Sequence, residues 1–446
     1  MTTEQDIIQN ISVIYNDYSK HDNIRQMVAN HFIPTKEESK NNAEISTPII
    51  LVEQMINSIP DEFWTKPRKV FEPCCGKGNF VLAIFDKFFF GLQRSIKDIH
   101  KRCEVIVNEC IYYADLTPLN VFIVSQLLRH HVAFYTKDKE VKLKFNQQIG
   151  NTLDMKTTDE DGFGTILDAG FDAVISNPPY QDNRGANSTL WDKFVLFSLK
   201  SIKPETGYLL TIHPSGWRNI AGNYKKAQKE ILKYNLLYLE MHDSKDGQKT
   251  FGCGTRYDWY LLIKRAQNKT NTQVIFQDGT VLTTDLNGKE FIPSGGYELF
   301  ESLFANNDEE RVIVMHSWGA YETRSKSMSK ILCKDFYRPV IYTISSTNKK
   351  TIMYSSVDNG HYGIPKLIWS NGSIKSSFTY LDIEGEYALT QFAYAIADNK
   401  NDLPNIQKAF DSKRFRELME FCAVGQQHIN FKIIALFRKD FWKSFV

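Results

Sequence analysis

Residues 177–180 read Asn177-Pro178-Pro179-Tyr180, directly behind the apolar run Phe171-Asp172-Ala173-Val174-Ile175-Ser176. An amide side chain, two ring-locked residues and an aromatic at the end of a buried strand make a rigid, polar, flat-faced pocket. Such a pocket suits holding a planar amino or amide group while its nitrogen is alkylated. An amino nitrogen attached to an aromatic ring is a poor nucleophile, because its lone pair is delocalised into the ring. Acceptors fixed around it favour a more tetrahedral nitrogen and stabilise the charge that grows there, without reorganising. Asn177 Oδ1 and the Pro178 carbonyl are the candidate acceptors, and Tyr180 is the candidate flat face.

A second constellation lies upstream. Phe71-Glu72-Pro73-Cys74-Cys75-Gly76-Lys77-Gly78-Asn79 reads as a strand, a tight turn and a helix start. Gly76 and Gly78 allow close backbone approach to a ligand, and Glu72 offers a carboxylate to a ligand ammonium. The turn lacks the G-x-G-x-x-G spacing and the Gly-Lys-Ser/Thr ending, which disfavours dinucleotides and nucleoside triphosphates. Lys77 reads as a solvated loop residue. Asp115 ends the next strand, where it suits a ribose diol or a cap on the following helix. Asn151, after the third strand, suits an adenine edge or a simple turn.

The elements that must position these residues alternate. Ser46-Thr47-Pro48 is expected to cap a helix through Ile56. Strands are expected at 68–71, 110–114, 143–149, 171–176, 208–212 and 257–263, with helices near 80–85, 118–129 and 190–201. This alternation predicts a Rossmann-like, doubly wound, mostly parallel α/β sheet, with ligands at the carboxyl ends of its strands. Residues 1–43 read as a helical extension and polar linker, 44–266 as the catalytic domain and 290–446 as an α+β domain, helical from Glu386 onward.

The chain has 446 residues and a formal net charge of +2, so only local charge is informative. From Arg311 to Tyr380 there are ten Lys and Arg against three Asp and Glu, a basic bias that suits nucleic acid or a solvated face. Seven cysteines form no Cys-x-x-Cys pair and no zinc spacing, so reduced thiols and no metal are expected. No apolar run reaches the roughly 18 residues of a membrane span. The acidic N-terminus does not resemble a signal peptide, and a cytoplasmic protein is expected.

The Ser-Thr-Pro-Ile-Ile-Leu-Val-Glu-Gln-Met segment, the Glu-Pro-Cys-Cys-Gly turn and Asn-Pro-Pro-Tyr together resemble DNA adenine-N6 methyltransferases of restriction–modification systems. The likeness is to the subgroup with cofactor motifs first and target recognition last, and it covers roughly residues 44–265. It implies a class I fold with S-adenosylmethionine as methyl donor. Thr47 and Glu72 would hold the methionine end and Asp115 the ribose. The family often has Asp where Asn151 stands, so Asp154 is an alternative contact. Tyr180 would stack on a flipped adenine. Thr250-Phe251-Gly252 resembles the segment supplying a second aromatic, here Phe251. His213, Tyr257 and Trp259 are read as structural.

The resemblance implies duplex DNA as partner, no membrane, a separately encoded cognate endonuclease and a monomeric chain. Arg324, Lys326, Lys330, Lys349 and Lys350 are the expected phosphate contacts. Asn-Pro-Pro-Tyr is shared with enzymes that methylate a release-factor glutamine amide, and RNA base methylation is a third option. The upstream Thr-Pro helix and the large basic second domain favour DNA. Pro60-Asp61-Glu62 is not followed by a convincing Glu-x-Lys, so no nuclease is expected.

Overall fold

The computed structural model describes residues 4–17, 24–33, 45–156, 163–181, 189–220, 222, 224–266, 269, 271–317, 319, 321–345, 349–370, 378–422, 424 and 430–446. Its chain divides into two compact units, one of residues 1–217 and 224–289, the other of 218–223 and 290–446. Most of the linker expected before Thr47 lies outside the described residues.

The first unit is built on β1 (Val70–Glu72), β2 (Ile111–Asp115), β3 (Asn146–Ile149), β4 (Ala173–Ser176), β5 (Tyr208–Pro214), β6 (Tyr234–His242), β7 (Tyr257–Ala266), β8 (Thr272–Ile275) and β9 (Val281–Thr284). They form one sheet in the order β3-β2-β1-β4-β5-β7-β6-β8-β9. The strands from β3 to β5 are mutually parallel, while β7 runs antiparallel to both β5 and β6. This is the expected Rossmann-like, doubly wound α/β sheet. In β1, β2 and β4 every residue is buried, as parallel strands covered on both faces require. Strand order reverses between β1 and β4, and β2 and β4 flank Val70 on either side.

Three differences from the sequence reading have physical causes. The residues between 266 and 290, expected to be a boundary, add β8 and β9 to the sheet edge, so the first unit runs to Lys289. Ser46 and Thr47 do not cap the helix Ile49–Asn57: Pro48 stands at its N-cap, and no side chain caps that end. The N-terminal helices Glu4–Asp17 and Ile24–His31, expected as a separate helical extension, belong to the first unit. Ile7, Ile11, Ile14, Ile24 and Val28 are buried in the same core as Met55, Phe85 and Leu128. His131 bridges the Tyr15 hydroxyl (2.9 Å) and the Asp86 carboxylate (2.7 Å) at this junction.

The second unit has two four-stranded sheets. One contains β10 (Ile313–His316), β17 (Ala393–Ala397), β14 (Lys366–Ser370) and β15 (Thr379–Asp382), in that order. The other orders β11 (Met328–Ser329), β13 (Lys350–Ser355), β12 (Arg338–Ile344) and β16 (Ala388–Leu389). Residues from Glu386, expected to be helical, first form β16 and β17, and helices begin only at Leu403. Those helices bury Ile406, Phe410, Phe415 and Leu418 against Leu367 and Trp369. The Lys366–Asp382 pair, 3.1 Å apart and fully buried, faces across β14 and β15.

Ile11→Ala should lower the unfolding free energy by about 2–5 kcal/mol, the cost of a core cavity, because Ile11 is fully buried. Denaturant melts check this; a decrease under about 0.5 kcal/mol would mean the N-terminal helix is dispensable.

Candidate active site

A cavity of about 540 Å³ opens at the carboxyl ends of β1, β2, β3 and β4. Its wall includes Thr47, Gly76, Asp115, Asn151 and Asn177. Distant segments of the chain thus converge at the strand-order switch, where open α/β sheets bind ligands.

Asn177 follows β4, and its amide is oriented by its neighbours. Nδ2 donates to Thr47 Oγ1 at 3.0 Å and to the Ile45 carbonyl at 3.4 Å. A carbonyl can only accept, so the amide must turn its nitrogen that way. Oδ1 is thereby left buried without a hydrogen-bond partner. Asn79 repeats the pattern: Nδ2 donates to the Thr47 carbonyl at 2.9 Å while Oδ1 has no partner.

Glu72 ends β1 just behind the cavity wall formed by Pro73 and Cys74. It is 1% exposed, and Oε2 has no partner. Burial pushes its pKa up to about 8, although hydrogen bonds from Cys74 oppose the shift. The Cys74 thiol lies 3.6 Å from Glu72 Oε1 and 3.4 Å from the Asn177 carbonyl, between the two halves of the site. Burial disfavours the charged carboxylate, and a ligand ammonium beside it would favour that form.

Asp115 lines the cavity but already works within the protein. Its Oδ2 accepts from Gly76 N at 2.9 Å, and Oδ1 from Thr117 N at 2.8 Å and Asn120 Nδ2 at 3.1 Å. It fixes the glycine turn and keeps further lone pairs for a ligand. Gly76 and Gly78 both have positive φ, and a Cβ on Gly78 would press on Val124 at 3.1 Å. Asn151 also lines the cavity, yet its amide is tied locally, accepting from Leu153 N at 3.2 Å and donating to Asp154 Oδ2 at 2.8 Å. The turn role is therefore realised, and Thr152 Oγ1 anchors the segment to the Pro73 carbonyl at 2.6 Å.

Lys77 corrects the sequence reading. It is buried, lines the cavity and donates to Asn120 Oδ1 at 2.7 Å. Its charge suggests solvent, and the Asn120 amide in the first turn of the helix Pro118–Thr136, which follows β2, supplies the alternative. Sequence reasoning also passes over Leu116, 62% exposed on the cavity wall. An apolar side chain next to a carboxylate at a strand end is the available signal.

Tyr180 is placed differently from its neighbours. Its hydroxyl is buried with no hydrogen-bond partner, and burial pushes its pKa well up, with Cys253 and Tyr257 adding to the shift. Phe251 ends the helix Ser244–Phe251 and meets Tyr257 edge-on at 5.0 Å. Tyr180 and Phe251 thus share Tyr257 as a neighbour. His213 stacks on Trp191 at 4.2 Å and bonds Tyr260 at 3.0 Å, and burial pulls its pKa down to about 3. It is structural, as expected. Trp259 stacks on Tyr238 within the sheet.

On the second unit Arg324, Lys326, Lys330 and Lys349 stand at the surface. Lys350 is not free in this way. Its ammonium lies 3.6 Å from the Tyr380 ring centre and donates to the Tyr387 hydroxyl at 3.1 Å, a packed cation–π pair. Among the described residues no cluster of His, Cys, Asp or Glu could hold a metal, and no helix is long and apolar enough to cross a membrane.

Residues 109–251 match the family model described as Eco57I restriction-modification methylase. A Mycoplasma pneumoniae protein described as an uncharacterized adenine-specific methylase is 24% identical over 360 residues, covering 65% of this chain and 81% of that one. Similar solved structures include the DrdV–DNA complex, with TM-score 0.49, 11% identity, and coverage of 100% of this chain and 59% of that chain. A modification subunit of a putative type I restriction enzyme from Vibrio vulnificus YJ016 has TM-score 0.41 and 14% identity, covering 72% and 63% respectively. The chain spans less than two thirds of the length of either structure.

Because Glu72 must ionise to pair with a cation, affinity for a cationic ligand reaching it should rise with pH. Below about 8 the expected gain is about tenfold per pH unit, with one proton released on binding. Calorimetry in buffers of different ionisation enthalpy checks this, and Glu72→Gln should abolish the slope. A flat profile in the wild type would show that Glu72 does not meet the ligand's charge.

Proposed function

We propose that this chain is a site-specific DNA methyltransferase that transfers a methyl group from S-adenosylmethionine to N6 of an adenine extruded from duplex DNA. The observation that carries the reading is the buried, unpartnered Asn177 Oδ1, held at the end of β4 on the wall of the strand-end cavity. The Eco57I-family match over residues 109–251 supports the same chemistry.

When bound, the cofactor supplies an electrophilic methyl group on a sulfonium. Glu72 would pair with its ammonium, and Asn79 Oδ1 offers a second open acceptor nearby. Thr47 acts mainly through Asn177, whose amide it orients. Asp115 retains lone pairs for a ribose diol, and Leu116 offers an apolar contact to a flat base. Gly76 and Gly78 keep the turn low enough for that approach.

On the substrate side, Asn177 Oδ1 and the Pro178 carbonyl would accept from the adenine amino group. Their fixed dipoles stabilise the charge developing on N6, and holding the nitrogen in place removes much of the entropic barrier. No general base need act first; the proton leaves after transfer, to water. An amino group inside a duplex is unreachable, so the base is flipped. Tyr180 would stack on the flipped base, an interaction worth about 1–3 kcal/mol, while Phe251 supports it through Tyr257. The second unit would read the target, with Arg324, Lys326, Lys330 and Lys349 on phosphates.

The test is product identity. Labelled S-adenosylmethionine is incubated with the protein and unmethylated genomic DNA, total RNA or peptide release factor. N6-methyladenine in DNA is expected; labelled RNA bases or methylglutamine as main product would overturn the reading. Separately, replacing Arg324, Lys326, Lys330 and Lys349 by Gln should flatten the salt dependence of duplex binding by about 0.9 for each phosphate no longer neutralised. An unchanged slope would remove these residues from the interface.

A further inference from the structure

Between β11 and β12 the chain leaves one side of β13 and returns on the other. Met328 and Arg338 both stand opposite Ser355, so residues 330–337 arch across the end of β13. The arch is built rather than slack. Ser329 Oγ accepts from Ile331 N at 3.0 Å and donates to the Ile331 carbonyl at 2.9 Å. Cys333 and Phe336 exchange backbone hydrogen bonds of 3.1 and 3.2 Å. The Arg338 guanidinium lies 4.5 Å from the Tyr337 ring centre at the arch's foot.

On this scaffold Ile331 is 74% exposed and Leu332 58% exposed. Lys330 and Lys334 flank the apolar pair, and Arg324 and Lys326 lie on the approach to β11. None of these four cations has an ion-pair partner among the described residues, although Asp335 lies in the same arch and Glu322 just before it. Three other exposed lysines of the unit are compensated: Lys400, Lys439 and Lys443 lie 2.9, 3.0 and 3.2 Å from Glu384, Glu310 and Asp440, whereas Lys349, Lys408 and Lys432 have no ion pair among the described residues. An exposed apolar pair framed by uncompensated cations fits a polyanion with an apolar, stacked interior. Duplex DNA satisfies both demands at once, with phosphates outside and bases within.

We propose that Ile331 and Leu332 form an apolar wedge that enters a base step of bound duplex DNA and kinks it, with Lys330 and Lys334 on the flanking phosphates. The proposal rests on the duplex-substrate reading and adds to it a deformation that the basic residues alone would not produce. Apolar wedges of this kind partly unstack a step and bend the duplex by roughly 20–90°. Because the cost of opening a step depends on its bases, the wedge would also select sequence without a base-edge hydrogen bond.

The experiment uses the full chain and a duplex of about 30 base pairs taken from a methylated genomic fragment, with a dye at each end. Wild type should shorten the end-to-end distance on binding. Ile331→Ser/Leu332→Ser should bind with the same salt slope, lose the bend and weaken affinity by about tenfold or more, the worth of burying one such side chain. Cys333, the exposed thiol of the seven cysteines, gives a second readout: saturating duplex should slow its alkylation by maleimide. Unchanged bending and affinity in the double variant, or unchanged Cys333 reactivity, would overturn the wedge. Wild-type self-association that the double variant loses, with bending intact, would overturn it in favour of a protein interface. If no DNA is methylated at all, the methyltransferase reading fails, while Cys333 protection by an arbitrary duplex still decides the wedge.

Discussion

The candidate site depends on one constraint, the orientation of the Asn177 amide. Its nitrogen is held by the Ile45 carbonyl and Thr47 Oγ1, which lie far upstream in sequence. Only a carboxyl-end convergence of the sheet brings these segments together, and only that convergence leaves Oδ1 turned away from every protein donor. The Thr-Pro segment therefore works as a clamp on the Asn177 amide, in addition to any contact with ligand.

Around this clamp the site holds unmet polar demand. Asn177 Oδ1, Asn79 Oδ1 and Glu72 Oε2 are all buried and unpartnered, and leaving such a group unsatisfied costs about 1–3 kcal/mol. The fold meets that cost with the continuous core beneath the sheet, to which the N-terminal helices contribute. A cofactor ammonium at Glu72 and a substrate amino group at Asn177 would satisfy both ends. Asp115 and Cys74 serve the site differently, by fixing the turn and by lying between its two halves.

Much of this is legible in the sequence because parallel strands buried on both faces read as continuous apolar runs. Val70–Phe71, Tyr112–Ala114 and Ala173–Ile175 are of that kind, and the residues after them form the cavity wall. β6 and the helix Lys225–Lys233 do not stand out in the same way. β8 and β9 escape notice because Thr272–Ile275 and Val281–Thr284 are short, half-polar strands in a stretch rich in Asn, Gln and Thr. Charged residues mislead at two positions. Lys77 is buried because Asn120 satisfies its ammonium, and Lys350 is packed because Tyr380 and Tyr387 meet it; neither set of neighbours is evident from local sequence. The arch at 330–337 reads only as basic, since exposure of Ile331 and Leu332 is a property of the fold.

The central claim is that Asn177 serves the methyl acceptor and not the cofactor. The most direct measurement compares Asn177→Ala with wild type in two assays on the same preparation, S-adenosylmethionine binding by calorimetry and single-turnover methyl transfer to duplex DNA. The account predicts cofactor affinity within about threefold of wild type and transfer reduced by at least about a thousandfold, the scale of removing a transition-state hydrogen-bonding group. Retained transfer, or cofactor binding abolished together with transfer, would contradict it.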